Sequence, residues 1–306
     1  MQEIEFKFQV PVKKRKALQK AFTLLKAEPI HLAAQYFDTA DQTLAKHCIA
    51  IRRRQENDEW KQTFKAVNSA KVLSRLELEF DIAPPETTTL DLDNYKKDYS
   101  AIYKKLKRAL GLPLPTLELL FETNIQRLRI LQDVGNSTVE IALDIGKIFE
   151  AQNNVDIFEI EFELKQGSIE DLIAFIRPWV QKYQLSLDTH SKSDYGLLAV
   201  RQQSYFSAQY QTPLVLNRSS SEVEALQSIV ANCLQHLLPN ASSIARQQYS
   251  SEHIHQARVA IRRLRSALKS FAAWSDAIQP HWKAELTTIF QALGGTRDID
   301  ALNEDL

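Results

Sequence analysis

Polar and apolar residues alternate along residues 3–8, where Glu3, Glu5 and Lys7 are separated by isoleucine and phenylalanine. Alternation with period two is typical of a β-strand, because successive side chains leave opposite faces of a sheet. The same alternation recurs in residues 33–39, 49–54, 60–66, 75–82, 119–131, 137–150 and 158–167. We therefore predict a strand in each of these segments, and most of the strands have one apolar face and one charged face.

Helical periodicity interrupts these strands and takes over completely towards the end of the chain. A basic amphipathic helix is predicted to begin at Pro11, and further helices over 95–111, 172–183, 221–238, 250–274 and 280–294. Because proline removes a backbone donor, Pro178 is expected to kink or end its helix and Pro239 to end the first helix of the last group.

The change from mixed to purely helical periodicity divides the chain. Residues 1–204 form the predicted β-rich domain, residues 205–220 read as a linker, and residues 221–306 form a predicted helical domain. We find neither an internal repeat nor a low-complexity tract that would suggest a repeat architecture.

Composition and charge set limits on partners and compartment. The 306 residues contain 38 acidic and 38 basic side chains, so net charge suggests neither a membrane partner nor a specific nucleic acid. Two cysteines, Cys48 and Cys233, lie far apart, which fits a reducing compartment. The sequence shows no signal-peptide pattern and no long apolar run, so a cytoplasmic protein is expected.

Charged residues collect on one face of most predicted strands, and each face is mainly acidic or mainly basic. The same-face groups are Arg52 with Arg54, Lys61 with Lys65, Arg75 with Glu77 and Glu79, Arg127 with Arg129, Glu140 with Asp144, and Glu159 with Glu161 and Glu163. Like charges on one strand repel and need compensation. If the sheet curls with these faces inward, they line one cavity and neutralise each other only through a bound ligand. Arginine and lysine suit phosphate oxygens, and carboxylates suit Mg²⁺ or Mn²⁺, so a polyphosphate with its metal fits best.

The motifs that carry these charges resemble those of the CYTH domain, the bacterial branch of the triphosphate tunnel metalloenzymes. They are EIEFK at 3–7, YFDT at 36–39, IRRR at 51–54, TFK at 63–65, EIALDIG at 140–146, EIEFEL at 159–164 and SKSDYG at 191–196. The resemblance covers about the first 200 residues. It implies an α+β protein whose eight-stranded antiparallel β-barrel forms a tunnel with flanking helices, followed by an all-α domain. It also implies metal-dependent hydrolysis of inorganic triphosphate to pyrophosphate and phosphate, with two Mg²⁺ or Mn²⁺ ions.

The resemblance assigns roles to individual residues. Glu3, Glu5 and Lys7 become the catalytic group. The implied phosphate ligands are Lys7, Arg52, Arg54, Lys65, Arg75, Arg127 and Lys192, and the implied metal ligands are Glu3, Glu5, Glu77, Glu79, Glu161 and Glu163. Glu159 is expected near the tunnel mouth, and Glu140 and Asp144 either join the site or pair with arginines.

The helical part resembles the beginning of a CHAD domain, through HQARVAIRRLR at 255–265 and RDIDAL at 297–302. The resemblance implies a basic groove for inorganic polyphosphate, with the ligands His255, Arg258, Arg262, Arg265 and Arg297. A solvated basic helix face is the other interpretation of the same pattern.

Four alternatives stay open at this level. A class IV-type adenylate cyclase or a thiamine or RNA triphosphatase would use the same tunnel on another substrate. A non-catalytic module that binds polyphosphate would need no hydrolysis at all.

Overall fold

The computed structural model describes residues 4–67, 75–90, 92, 95–96, 99–150 and 153–304, with the backbone alone at 67, 75–76 and 295–304. The chain divides into two compact units, Met1–Ser186 with His190–Gln203, and Leu187–Thr189 with Ser204–Leu306. None of the helices in the described part of the chain is long and apolar enough to cross a membrane.

The first unit is built on one antiparallel sheet. Its strands are β1 (Glu5–Gln9), β2 (Glu28–Asp38), β3 (Ile49–Glu56), β4 (Glu59–Val67), β5 (Arg75–Ile82), β6 (Glu118–Val134), β7 (Ser137–Glu150), β8 (Asn153–Gln166) and β9 (Ser186–Leu187). Their order across the sheet is β5-β4-β3-β2-β6-β7-β8-β1-β9. The predicted fold class, an antiparallel sheet followed by helices, is confirmed, and β9 is a two-residue addition to the eight expected strands.

The apolar face of the sheet is covered by helices α1 (Val12–Leu24), α2 (Thr43–Lys46), α3 (Ser100–Leu110) and α4 (Ile169–Tyr183). A further helix, α5, comprises Lys192–Val200. Trp179 of α4 packs edge-on against Phe22 of α1 and Phe162 of β8. Phe22 and Phe162 are fully buried, and each such aromatic side chain contributes roughly 1.5–3 kcal/mol through burial. The apolar face that the alternation predicted therefore forms a hydrophobic core between the sheet and these helices.

Helix α5 lies on the opposite, charged face, where it contacts β6, β7 and β8. Gly196 allows the close approach, because a Cβ atom there would meet the ring of Phe121 at 2.2 Å. The N-terminus of α5 is fixed by a capping box between Ser191 and Asp194. These contacts hold the first residue of the helix, Lys192, over the charged face.

The second unit contains α6 (Glu222–Ala245), α7 (Ser251–Ser270) and α8 (Pro280–Glu304), with a 3₁₀ turn at Ala272–Trp274. A buried polar network joins α6 to α7, in which Arg263 donates to Asn232 at 2.6 Å and to His236 at 3.3 Å. Asn232 and Asn240 of α6 also bind the backbone of residues 209–212, which lie in the segment predicted as a linker.

Neither of the two prolines ends its helix. Pro178, which was expected to kink or end its helix, lies inside α4, and the helix end predicted at Pro239 was wrong because Pro239 lies inside α6. Each proline removes a helical hydrogen bond, but buried residues on both sides, such as Ile176 and Tyr183 in α4, keep the helix packed. Tertiary packing therefore outweighs the local cost.

Candidate active site

Strand register places charged side chains side by side on the face that α5 covers. These side chains belong to β7, β8 and β1, and residues of neighbouring strands face one another directly. Three successive rungs run across these strands: Asp144–Glu159–Gln9, Ala142–Glu161–Lys7 and Glu140–Glu163–Glu5. The acidic side chains that the sequence places on separate strands are therefore neighbours, and these three rungs together are called the grid.

Three carboxylates of this grid come together in the interior. Oxygen atoms of Asp144, Glu159 and Glu161 all lie within 4.8 Å of one another. The three side chains are 0%, 3% and 11% exposed. Such closely spaced buried carboxylates need positive charge to remain ionised.

Lysine and arginine supply that charge. The Lys192 ammonium lies 2.7 Å from Asp144, 2.5 Å from Glu159 and 2.8 Å from Glu161. Arg127 of β6 makes two hydrogen bonds of 2.7 Å to Asp144 and also donates to Glu161. Lys7 lies 3.3 Å from Glu159 and donates to the His190 carbonyl.

These contacts shift the ionisation of both partners. Burial alone would raise the pKa of Glu161, but Lys192 and Arg127 outweigh it and hold that pKa well below its ordinary value. Burial alone would lower the pKa of Lys192, but the three carboxylates raise it well above its ordinary value. Glu161 and Lys192 are therefore both ionised at neutral pH.

The charged face has two walls. The first carries the interior cluster described above, and the second is formed by β3, β4 and β5. Arg54 lies 3.1 Å from Glu79, and Lys65 lies 2.9 Å from Glu77. The buried Thr63 hydroxyl donates to Glu79 at 3.0 Å and accepts from Arg52 at 3.3 Å. Burial lowers the pKa of Arg54, and the neighbouring positive charge of Arg52 lowers it further.

Curling of the sheet brings the two walls together. Burial raises the pKa of Glu5 on β1, and the negative charge of Glu161 raises it further, while Lys65, Lys192 and Arg127 lower it. Lys65 belongs to β4, which is separated from β1 by five intervening strands in the sheet order. Because charges act on each other only over short distances in salt, the charged face is concave and its two walls face a common space.

The predicted site residues lie in different parts of the charged face. Lys7, Arg127, Lys192 and Glu161 meet in the interior cluster. Glu5 and Glu163 lie one rung beyond it, and Arg52, Arg54, Lys65, Glu77 and Glu79 lie on the second wall. Glu3 lies outside the described residues, as do the side chains of Arg75 and Arg297.

One expectation about charge was wrong. The acidic and basic faces were expected to neutralise each other only through a bound ligand, but they pair directly. Lys192, Arg127 and Arg54 all contact carboxylates in the protein alone. The physical reason is that strand register puts acidic and basic side chains on neighbouring strands, as with Arg127 and Asp144, and that α5 adds Lys192.

Sequence reasoning underrated Asp144 and Glu159. Glu159 was expected at the tunnel mouth, yet it is buried in the cluster with Asp144. Among the described residues, Glu161 is the member of the predicted metal set that belongs to this cluster. The signal that could have found the other two is strand register, since Arg127 faces Asp144 on β7 and Asp144 faces Glu159 on β8.

The cluster suits a divalent cation chemically. Mg²⁺ and Mn²⁺ prefer carboxylate oxygens, and the three oxygen donors of Asp144, Glu159 and Glu161 are already gathered within 4.8 Å. A cation there would replace the ammonium and guanidinium groups as the positive partner of these oxygens.

The predicted polyphosphate ligands on α7 separate into two groups. The guanidinium groups of Arg258 and Arg265 lie over the ring of Phe290 in α8, at 4.3 Å and 5.7 Å from its centre. Arg262 is exposed and lines a cleft of about 400 Å³ with Arg263. His255 is half-buried on the same helix.

Comparison with known proteins identifies the family to which the chain is related. The model of the CYTH domain matches residues 1–194, and that of the CHAD domain matches residues 228–306. An inorganic triphosphatase of Haemophilus influenzae is 32% identical over 206 residues, which cover 65% of this chain and 55% of that protein. The chain thus spans little more than half the length of this curated relative.

Two solved structures are more distant. A putative adenylate cyclase from Bacillus halodurans is 22% identical, with a TM-score of 0.44, and is matched over 63% of this chain and 96% of its own. A putative adenylyl cyclase from Hippeastrum, described as having a dominant triphosphatase activity, is 17% identical with a TM-score of 0.44, and the match covers 66% and 96% of the two chains. With the family match over residues 1–194, a cluster of three carboxylates and a concave charged sheet, the chain belongs to the CYTH family, with a CHAD segment after its CYTH domain.

Proposed function

We propose that the first unit hydrolyses inorganic triphosphate to pyrophosphate and phosphate with the help of Mg²⁺ or Mn²⁺. The observation that carries the proposal is the setting of Glu5. Its carboxylate is influenced by Glu161, Lys65, Lys192 and Arg127, which lie on four other elements of the fold. A common space lined by both signs of charge suits a ligand that is a polyanion with its cation.

The cations of the two walls bind the phosphate oxygens in this proposal. Arg52, Arg54 and Lys65 line one wall, and Arg127 and Lys192 line the other. Lys7 and Arg75 complete the proposed set. Arginine gives a two-point grip on phosphate, while lysine gives a compact positive charge. These fixed charges also offset the negative charge that builds up on the leaving pyrophosphate.

The carboxylates hold the divalent cations. Asp144, Glu159 and Glu161 would bind one ion, and the remaining proposed ligands, Glu3, Glu5, Glu77, Glu79 and Glu163, extend around the same face. A bound divalent ion neutralises phosphate charge and makes a water molecule more acidic.

Glu5 is the proposed proton acceptor. Its pKa is raised by burial and by Glu161, which brings it closer to the operating pH than Asp144 and Glu161, whose pKa values are lowered. At neutral pH its carboxylate takes the proton from the attacking water and orients that water towards the terminal phosphorus. No covalent nucleophile is required.

The test is phosphate release by the full chain from tripolyphosphate, ATP, thiamine triphosphate and long-chain polyphosphate, each with Mg²⁺ or Mn²⁺. We expect tripolyphosphate to be the best substrate and pyrophosphate to accumulate in phosphorus NMR. Glu161→Gln removes the charge of a cluster carboxylate and is expected to abolish turnover. Glu170→Gln, on the exposed side of α4, is the matched control and keeps activity.

Inactivity of the wild-type chain on every triphosphate with both cations would refute the proposal. Formation of cyclic AMP from ATP would instead assign the site to an adenylate cyclase.

We also propose that the helical unit binds polyphosphate through the cleft of about 400 Å³ that Arg262 and Arg263 line. Arg262 is exposed and is therefore the residue to test. Arg262→Gln is expected to weaken polyphosphate binding. An unchanged affinity would refute this part.

A further inference from the structure

Helix α1 carries an unbalanced positive charge on the surface of the first unit. Its bases are Lys13, Lys14, Arg15, Lys16 and Lys20, and it contains no carboxylate. Arg15 is used within the fold, since it donates to the Val10 carbonyl and lies over the ring of Phe158. Within the described part of the chain, no carboxylate forms an ion pair with the four lysines.

This charge pattern opposes the stability of the helix itself. Lys13 and Lys14 lie in the first turn, at the positive end of the helix dipole, and Lys16 and Lys20 are like charges one turn apart. The cap residue Pro11 makes no side-chain hydrogen bond. Helix α6, in contrast, opens with two glutamates and a capping box. The folding of the helix therefore does not account for the lysines of α1.

The lysines face solvent together with exposed apolar residues. Leu18 and Phe22 are fully buried and mark the inner face of α1. At about 100° per residue, Lys13, Lys16 and Lys20 lie on the opposite side. Val12 and Leu24, at the two ends of the helix, are 74% and 73% exposed. The outward surface thus combines a row of ammonium groups with apolar side chains at both ends.

We propose that this outward surface of α1 docks on an anionic lipid bilayer. Lysines attract anionic head groups, and exposed Val12 and Leu24 can enter the boundary between head groups and acyl chains. A phosphate polymer such as RNA would use the lysines but would leave both apolar side chains in water. No membrane partner was expected from the balanced net charge of the whole chain. That balance does not reveal the local excess of positive charge on α1. Peripheral docking needs no spanning helix, and it does not depend on the proposed activity.

The experiment is cosedimentation of the full chain with vesicles of phosphatidylcholine alone or with phosphatidylglycerol added. Binding is expected for the anionic vesicles, and high salt is expected to weaken it. The variant Lys13→Gln/Lys16→Gln/Lys20→Gln is expected to lose affinity on the order of 100-fold, about fivefold for each lysine. Leu24→Gln is expected to lose several-fold, which a purely electrostatic contact would not show. Circular dichroism melting checks that each variant is folded.

Helix α3 supplies the matched control. It is also basic and lacks acids in its first turn, but no large apolar side chain within Ser100–Leu110 is exposed. Lys104→Gln/Lys105→Gln/Lys107→Gln removes the same charge and is expected to change vesicle affinity less than the α1 variant by at least tenfold. An equal loss of vesicle affinity in both variants would show that net charge alone determines binding, and it would overturn the proposal. So would equal binding to uncharged vesicles, or RNA binding through α1 without vesicle binding.

Discussion

Replacing Lys192 by methionine removes the positive charge at the centre of the interior cluster while keeping much of the side-chain volume. The ammonium contacts Asp144, Glu159 and Glu161 at 2.5–2.8 Å. Removing one partner of a buried ion pair typically costs about 3–5 kcal/mol. We expect a loss of that size in the unfolding free energy at neutral pH without divalent cations.

Proton uptake sets a limit on this loss. A glutamate with the ordinary pKa of 4.5 takes up a proton at about pH 7.5 at a cost of about 4 kcal/mol, since each pKa unit corresponds to 1.36 kcal/mol. At about pH 5 the same protonation costs less than about 1 kcal/mol, so the destabilisation should shrink accordingly. The sign agrees with the low pKa of Glu161 in the native protein, whose contribution to stability is present above pH 4.5 and is lost as the pH falls.

Divalent cations give a readout that does not depend on activity. If Mg²⁺ binds the same oxygens, it replaces the missing ammonium, and it should stabilise the variant by about 2.7 kcal/mol at 100 times its dissociation constant. In the wild type the ion must first displace Lys192, so the gain is smaller. Urea unfolding is measured with and without Mg²⁺, with hydrogen exchange of β7 and β8 peptides to isolate the first unit.

Lys147→Met is the matched control, because this lysine is on the same sheet, is 51% exposed and lies 3.8 Å from Asp156. Its loss should cost less than about 1 kcal/mol. A Lys192→Met protein within 1 kcal/mol of the wild type, or one that Mg²⁺ fails to stabilise preferentially, would refute the cluster as a cation site.

Three further predictions follow from other parts of the fold. Thr63→Val keeps the shape but removes the hydroxyl between an arginine and a glutamate; we expect tripolyphosphatase kcat to fall about tenfold, Thr63→Ser to restore it, and equal activity of the two variants to contradict the positioning role. Burial lowers the pKa of His236, so hydrogen exchange in α6, corrected for intrinsic rates, should reveal stability lost as the pH falls below 6.5, and His236→Gln should remove that dependence. Gly196→Ala should destabilise the first unit by about 1–3 kcal/mol in urea unfolding because its Cβ meets the Phe121 ring, and Phe121→Leu should partly rescue it; a neutral Gly196→Ala would contradict the close packing.

Strand periodicity predicted which charged side chains share a face of the sheet, because alternate residues of a strand point to the same side. The alternation of Glu159, Glu161 and Glu163 places all three on one face whatever the strand pairs with, and the structure keeps them there. The apolar partners in the same segment, such as Phe162, are buried on the other face for the same reason. These properties depend on the local backbone alone, so one sequence is enough to predict them.

Depth within the site could not be predicted in this way. Glu159 and Glu163 have the same chemistry and share a face, but Glu159 is buried beside Lys192 while Glu163 pairs with the half-exposed Lys165. The difference comes from the position of α5 and the curl of the sheet, which depend on contacts between residues far apart in the chain. The continuation of α6 through Pro239 has the same origin, since packing there overrides a local preference.

Direct pairing of the two charged walls has a consequence for ligand binding under the proposed function. A divalent cation alone must displace Lys192 and Arg127 from Asp144 and Glu161, which leaves two buried cations without partners. Triphosphate alone must draw the same cations away and leaves the carboxylates without partners. When both bind, each ligand takes the groups that the other releases, so the cost of breaking the internal ion pairs is met once rather than twice. The metal and triphosphate should therefore bind cooperatively. Calorimetry should show tripolyphosphate affinity rising at least tenfold in Mg²⁺ beyond the effect of the ion on free tripolyphosphate, and equal affinities would show that the ion pairs stay intact when ligand binds.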